Sequence, residues 1–401
     1  MKIRASLYNE THLEYGVVTI PFPIPPDQYD STIGMLESLD IGNLLARDCA
    51  VEELQGPCPI LKRLEGTRVN VDELDYLIKR LDSFTDSELA QFQGMAAAKG
   101  FAEMTDLINL TFCCQQATVI TDFTDLEQIG RDHYLNIHGG CAAMEELERL
   151  DARRTALDLI LNDTSGQITP YGVVYDNGMR LEQLYDGCHF PDYKYSGSLM
   201  DVSLTSVHDA RQTVFLSLPM PERQMERLIF RSGFESEEFA RRTIQSCEFP
   251  QPLRSILDQG QESVFDLNRL CRTCSGLSRQ EWSKLEAAAA VTSPEDSAQL
   301  RRLAENLDLF DFVPDVHTPE EYGRHMIQQS GRFDYDSELD AFYDYEKYGR
   351  QRIQEEQGRF TEPGYIAYNG TLTLDELIQG DPAEQYQKEQ EEGMEMGAGC
   401  S

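Results

Sequence analysis

Val71-Asp72-Glu73-Leu74-Asp75-Tyr76-Leu77 runs on to Phe84-Thr85-Asp86-Ser87-Glu88-Leu89. Leu74, Leu77 and Leu81 fall on one face of a helix. Thr85 with Glu88 three residues on makes a capping box for the next helix. The pattern returns 193 residues later: Val264, Leu267 and Leu270 repeat the apolar face, and Ser278 with Glu281 repeats the box. Val71–His133 and Val264–Met326 align without a gap at 12 identities in 63 positions, among them Glu88/Glu281, Ala96/Ala289, Leu107/Leu300, Asp122/Asp315 and Gly130/Gly323.

The register extends in both directions. Pro170–Tyr175 aligns with Pro363–Tyr368 and Leu181–Leu184 with Leu374–Leu377, again 193 apart, while Pro23-Ile24-Pro25 matches Pro219-Met220-Pro221 at 196. Internal repetition of this kind predicts a tandem of two units. Each unit reads as three pieces. In the first piece, strand-like Ile3–Leu7 and Val17–Ile20 precede a helix with Ile33, Leu36 and Leu39; Val202–Leu204, Val214–Leu216 and a helix from Pro221 to Arg231 repeat the order. A helical piece follows, then a piece of acidic loops, helices and a hairpin. Asn177-Gly178 and Asn369-Gly370 are its hairpin-turn dipeptides. The expected fold is α+β, elongated and multi-domain. The pieces are 1–65, 66–115 and 116–195, then 199–260, 261–308 and 309–384, with a disordered tail over 385–401.

Charge narrows the function. Seventy Asp and Glu face 35 Lys and Arg in 401 residues, a net −35. Phosphates would be repelled, so direct nucleic-acid binding is disfavoured, as is an anionic membrane. A basic protein is the partner this surface suits. The excess is shared, with 32 acids and 15 bases in residues 1–200 and 38 and 20 in residues 201–401. Its densest stretch, Glu305–Glu346, holds 12 acids and two bases, interleaved with Phe310, Phe312, Tyr322, Phe333, Tyr335, Phe342, Tyr343 and Tyr345. No apolar run approaches a membrane span, and Met1-Lys2-Ile3-Arg4 leads into a strand instead of a signal peptide. Ten cysteines in a long chain without a signal read as reduced packing thiols of a cytoplasmic protein.

Enzyme signatures are missing from the sequence: no phosphate loop, dinucleotide fingerprint, zinc-protease pair or nucleophile elbow occurs. Asp132-His133 with His138 is a thin metal candidate, since Arg324-His325-Met326 offers no second set. Asp334-x-Asp336-x-Glu338-x-Asp340 resembles half a calcium loop, but Leu339 stands where glycine is needed. Cys271-x-x-Cys274 lacks two further zinc ligands. No catalytic, metal or cofactor site is expected.

The helical module Val71–Leu77 with Phe84–Leu89, the acidic stretch Val119-Ile120-Thr121-Asp122-Phe123-Thr124-Asp125-Leu126-Glu127 and the strong negative charge together resemble the ArdA family of antirestriction proteins. The resemblance covers Met1–Tyr195 and, more weakly, Leu199–Tyr386. It implies a curved rod of three small domains whose carboxylates imitate bent double-stranded B-form DNA. Such a protein would occupy the DNA channel of a Type I restriction–modification enzyme or a similar basic DNA-binding defence complex. A family member is one unit and dimerises; two units here would make either a pseudo-dimer within one chain or a homodimer. The second half carries Arg279 for Asp86 and Trp282 for Leu89.

On that reading the phosphate stand-ins of the helical module are Asp72, Glu73, Asp75, Asp82, Asp86 and Glu88. Asp122, Asp125, Glu127 and Asp132 follow, then Asp308, Asp311, Asp315, Glu320, Glu321, Asp334, Asp336, Asp340 and Asp344. At about one charge per ~1.7 Å of duplex, 35 net charges match roughly 17 base pairs. Two other classes fit the composition. One is an acidic adaptor or histone-like chaperone that binds basic proteins without mimicry. The other is an enzyme using Asp132, His133 or Cys271.

Overall fold

The computed structural model describes residues 1–193, 197–209, 212–234, 240–259, 262–331 and 334–380. The tail expected over 385–401 lies outside them, as do Arg332 and Phe333. The fold is of the α+β class, with four small sheets set among helices. No helix among the described residues is long and apolar enough to cross a membrane. Two compact units emerge. One is Met1–Tyr193 with Leu204–Phe215 and Pro221–Arg241; the other is Lys194–Ser203, Leu216–Met220 and Arg242–Ser401. The division is not a single cut near residue 195, because a helix of the second half belongs to the first unit.

The chain begins with β1 (Ile3–Tyr8), β2 (Val17–Phe22), α1 (Tyr29–Ser38), β3 (Cys49–Gln55) and β4 (Arg68–Val69). The sheet order is β2-β1-β3-β4. Next come α2 (Val71–Asp82), α3 (Asp86–Lys99) and α4 (Met104–Leu110). Both side-chain bonds of the Thr85/Glu88 capping box form at the start of α3. One hydrophobic core runs from Ile3 and Leu7 through Ile33, Leu74 and Leu107 to Tyr185. The β-rich and helical pieces, drawn as separate domains at 65/66, therefore share a core. A second core, built on Ile120, Ile129, Ala156, Leu159 and Tyr175, joins β5 (Thr118–Ile120), α5 (Leu126–Ile137), α6 (Met144–Arg149), α7 (Ala152–Asn162), β6 (Gln167–Thr169) and β7 (Gly172–Tyr175).

The second half follows a related order: β8 (Met200–Ser206), β9 (Thr213–Leu218), α8 (Glu222–Arg231) and β10 (Ala240–Cys247), then α9 (Gln251–Gln259) where the first half has β4, followed by α10 (Val264–Cys274), α11 (Arg279–Thr292) and α12 (Ser297–Glu305). It ends with β11 (Phe310–Pro314), α13 (Pro319–Gln328), α14 (Tyr345–Glu356), β12 (Arg359–Phe360), β13 (Gly364–Tyr368) and α15 (Leu374–Gln379). Sheet orders recur: β10-β8-β9 answers β3-β1-β2, and β11-β13-β12 answers β5-β7-β6. Gly130 and Gly323 serve one purpose: a Cβ there would lie 1.8 Å from the Ala152 carbonyl oxygen and 2.0 Å from that of Tyr345. Each glycine lets two helices cross at backbone distance.

Three local details differ from the sequence reading. Asn177 and Gly178 do take positive φ, 52° and 76°, but they lead the chain out of the sheet. The hairpin is made instead by β6–β7, around Pro170-Tyr171, and by β12–β13. Ile120 pairs with Val173 and Val313 with Tyr365, so the register there is 192, and Gly172 answers Gly364. Finally, Leu374–Gln379 is helical while Leu181–Leu184 is not. Thr373 and Glu376 form a capping box that Arg180 and Gln183 cannot.

Helix α8 docks in the first unit through charge. Arg227 grips both oxygens of Asp72 (2.7 and 3.3 Å) and donates to the Gly42 carbonyl at 3.0 Å. Arg231, only 3 % exposed, donates to the Leu44 carbonyl (2.7 Å), Asn70 Oδ1 (3.0 Å) and the Tyr185 hydroxyl oxygen (2.6 Å), with Glu73 at 3.4 Å. Arg223 pairs with Glu37 on the surface. Stripping one partner from a buried pair costs about 3–5 kcal/mol, whereas an exposed pair contributes about 0–1 kcal/mol. Arg231→Ala should therefore lower the urea midpoint far more than Arg223→Ala, at equal m-value. Equal, small shifts would show that the buried charges do not hold α8.

Candidate functional site

The resemblance makes Asp72, Glu73 and Asp75 of helix α2 phosphate stand-ins, and here the structure corrects it. Asp72, Glu73 and Asp75 are 7 %, 2 % and 2 % exposed. Asp72 also accepts from Tyr29 at 2.8 Å; Glu73 accepts from Arg47 (3.1 Å) and Tyr185 (2.8 Å). Asp75 accepts the Ile24 backbone N–H at 2.7 Å and pairs with Lys79 at 2.8 Å. Asn268, 193 residues on, accepts the Met220 N–H at 2.9 Å in the same manner, so the Asp75 bond belongs to the fold. The physical reason is coverage. The apolar stripe meets the core, and α8 together with the loops around Gly42–Ala46 and Tyr185–Cys188 closes over the polar side. These three acids cannot present charge to a partner.

The other acids face outward. Asp82 and Asp86 are exposed and Glu88 is half-buried in its capping box; Asp82 meets the N-terminal ammonium of Met1. Asp122, Asp125 and Glu127 are exposed on the approach to α5, and Asp132, on that helix, is half-buried. In Glu305–Glu346, eleven of the twelve acids are exposed and Asp340 is half-buried. No other stretch of that length among the described residues holds as many outward carboxylates.

Many of these groups are fixed by backbone. Asp125 accepts the Gln128 N–H at 2.9 Å and caps α5. Asp344 accepts the Lys347 N–H at 3.0 Å and caps α14. Glu321 accepts the N–H groups of His317 and Thr318 at 2.8 and 3.1 Å. Asp336 holds the Glu338 N–H at 2.9 Å. Asp340 gathers hydrogen bonds from Tyr345 (2.5 Å), Tyr335 (2.8 Å) and Gln328 (2.9 Å). Arg324 lies 4.5 Å over the Tyr345 ring and pairs with Glu320 at 3.3 Å. The tyrosines thus hold the loop from beneath while Asp334, Asp336, Glu338 and Asp344 face solvent.

These bonds favour the charged form. The Thr124 N–H and hydroxyl hold Asp122 below the usual carboxylate range. The His317 N–H does so for Glu321, and the Tyr345 and Tyr335 hydroxyls for Asp340. For such depressed groups the stabilisation is complete above the ordinary carboxylate pKa and fades as pH falls through the lowered one. Asp132 moves the other way, pushed up by burial.

The metal candidate of Asp132, His133 and His138 does not assemble among the described residues. His133 Nδ1 meets Thr118 at 2.9 Å, while His138 bonds the Tyr134 carbonyl at 2.7 Å. Among the described residues no three His, Cys, Asp or Glu side chains gather as metal ligands. Cys271 and Cys274 are buried, and burial pushes both thiols up, which suits packing.

Sequence reasoning missed the arginine face of α8. Its signal was available: Arg223, Arg227 and Arg231 stand four apart, one stripe of a helix in an acidic chain. Tyr335 offers a site-specific check on the anchored loop. Its phenol is pushed up to about 12, chiefly by the bond to Asp340. In Asp340→Asn it should titrate nearer 10, its ordinary value, by NMR of isotope-labelled tyrosine. An unmoved titration would mean that the bond does not persist in solution. A scan against protein-family models finds no match for the chain, and a search of curated proteins finds none.

Proposed function

We propose that this protein is an antirestriction protein of ArdA type, which imitates double-stranded DNA and blocks the DNA-binding channel of a Type I restriction–modification enzyme. The observation that carries the reading is the outward run of carboxylates in Glu305–Glu346, several of them fixed by backbone N–H groups. Phosphates on a duplex are held at set spacing by their backbone. Carboxylates held by helix caps share that property, whereas acids on free side chains do not. A channel lined with Lys and Arg binds DNA mostly through phosphate contacts, so competition needs no base readout. The partner is a basic protein complex, and the chain acts by occupancy and not by catalysis.

The working surface is Asp308, Asp311, Asp315, Glu320, Glu321, Asp334, Asp336, Asp340 and Asp344, with Asp122, Asp125, Glu127 and Asp132 in the first half. Asp82, Asp86 and Glu88 are what remains of the α2–α3 group. An acidic adaptor without mimicry would share the charge but would not have to meet its partner where DNA does.

Competition separates the two. Duplex DNA should displace the protein from a Type I complex, and affinity should fall steeply with added salt. Binding indifferent to DNA would sink the mimic reading. Single Asp→Asn changes should be nearly silent, since each exposed pair contributes about 0–1 kcal/mol. Neutralising Asp308, Asp311, Asp315, Glu320, Glu321, Asp334, Asp336 and Asp344 together should abolish inhibition while leaving the circular dichroism intact. Asn and Gln keep the helix caps, so the fold survives the loss of charge.

A further inference from the structure

A recess of about 250 Å³ opens in the second unit between α9, α11 and the β12–β13 turn. Its walls are apolar: Leu253 and Ile256 on one side, Ala289 and Ala290 on the other. Glu286 and Glu362 stand at its edge. Neither carboxylate has an ion pair or hydrogen bond among the described residues. Burial pushes the Glu286 carboxyl up, and the charge of Glu362 adds to the rise. Two carboxylates that line one apolar trough, the charge of the exposed Glu362 acting on the half-buried Glu286, are an arrangement that a cation on an apolar stem relieves.

The first half indicates which cation. Position 63, 193 before Ile256, is Arg63. Its Nη1 donates to the carbonyls of Ala96 (2.9 Å) and Phe101 (3.1 Å). Ala96 is the counterpart of Ala289, and Gln93 that of Glu286. Tyr171, partly buried against the core there, is replaced by Pro363 in the strand register, and Pro170 by Glu362. In the first half, then, an arginine and a tyrosine stand at the positions that Ile256 and Pro363 take beside the recess. The second half has removed both and added two acids.

We infer that the recess is a socket for an arginine side chain of a basic protein partner, its stem between Ile256 and Ala289 and its guanidinium against Glu286 and Glu362. This deepens the proposed function, on which the choice of partner rests: within a surface read by total charge, it is one place read by shape. An arginine presents five N–H donors in a fixed planar fork, so it meets two carboxylates with less ordering than the rotating ammonium of a lysine. Such desolvated anchors dominate interfaces, and removing one commonly changes affinity about tenfold or more.

The test uses the full chain and N-acetyl-arginine amide. Titration should shift the methyl NMR signals of Leu253, Ala289 and Ala290, with saturation in the millimolar range, and the neutral citrulline analogue should not. Glu286→Gln with Glu362→Gln should abolish the response. Ile256→Arg, which restores the first-half residue, should fill the socket from within and abolish it too, in a protein whose other methyl signals stay in place. No shift with the arginine amide, an equal shift with citrulline, or undiminished binding by Ile256→Arg would overturn the socket. Against a Type I complex, the double Gln variant should bind about tenfold more weakly while still being displaced by DNA. If DNA and protein do not compete at all, the mimic reading fails and the amide titration still decides the socket.

Discussion

Two buried acids and two arginines hold the first unit together. Asp72 and Glu73 sit in the first turn of α2, out of water, and are answered by Arg227 and Arg231 from a helix more than 150 residues away in sequence. Ions in a low-dielectric interior are expensive unless paired and hydrogen-bonded on their remaining sides. Here they are: Tyr29, Tyr185, Arg47 and Asn70 supply the rest. In a protein with twice as many acids as bases, each buried pair takes one acid and one base out of water together, so the whole excess of negative charge stays on the outer surface.

That arrangement explains the success and failure of the sequence. Helices α2, α3, α10 and α11 were legible because apolar spacing and capping boxes are local signals, and both boxes form. The strands β1, β2, β8 and β9 were legible as pairs of strand-like stretches ahead of Pro23-Ile24-Pro25 and Pro219-Met220-Pro221. The glycine pair Gly130/Gly323 was visible as an identity, but only the crossing helices reveal that a Cβ has no room there. Asp72, Glu73 and Asp75 were misplaced because a first-turn acid looks the same whether water or an arginine lies beyond it. The covering helix is distant in sequence, and no local pattern announces such a partner. The turn at Asn177-Gly178 failed differently: the dipeptide takes its expected conformation, yet no strand follows it.

The two halves share their sheet orders and differ in the surface they present. The second half has lost the counterpart of Asp86 and gained a dense acidic run between β11 and α14. The recess beside α11 shows the same divergence at smaller scale. A repeated frame lets one copy keep a structural solution, such as Arg63 on its carbonyls, while the other abandons it and leaves an opening.

The capping carboxylates have an evolutionary consequence. Each is held by the peptide backbone and not by a chosen basic side chain. Any residue sequence that starts a helix at that point, with Asp at the N-cap or Glu at the third helical position, can rebuild the anchor. Mutational drift can therefore rewrite nearly every neighbour without moving the charge. Two such proteins can present the same electrostatic outline while sharing few letters, and descent is better sought in where helices begin than in which residues recur.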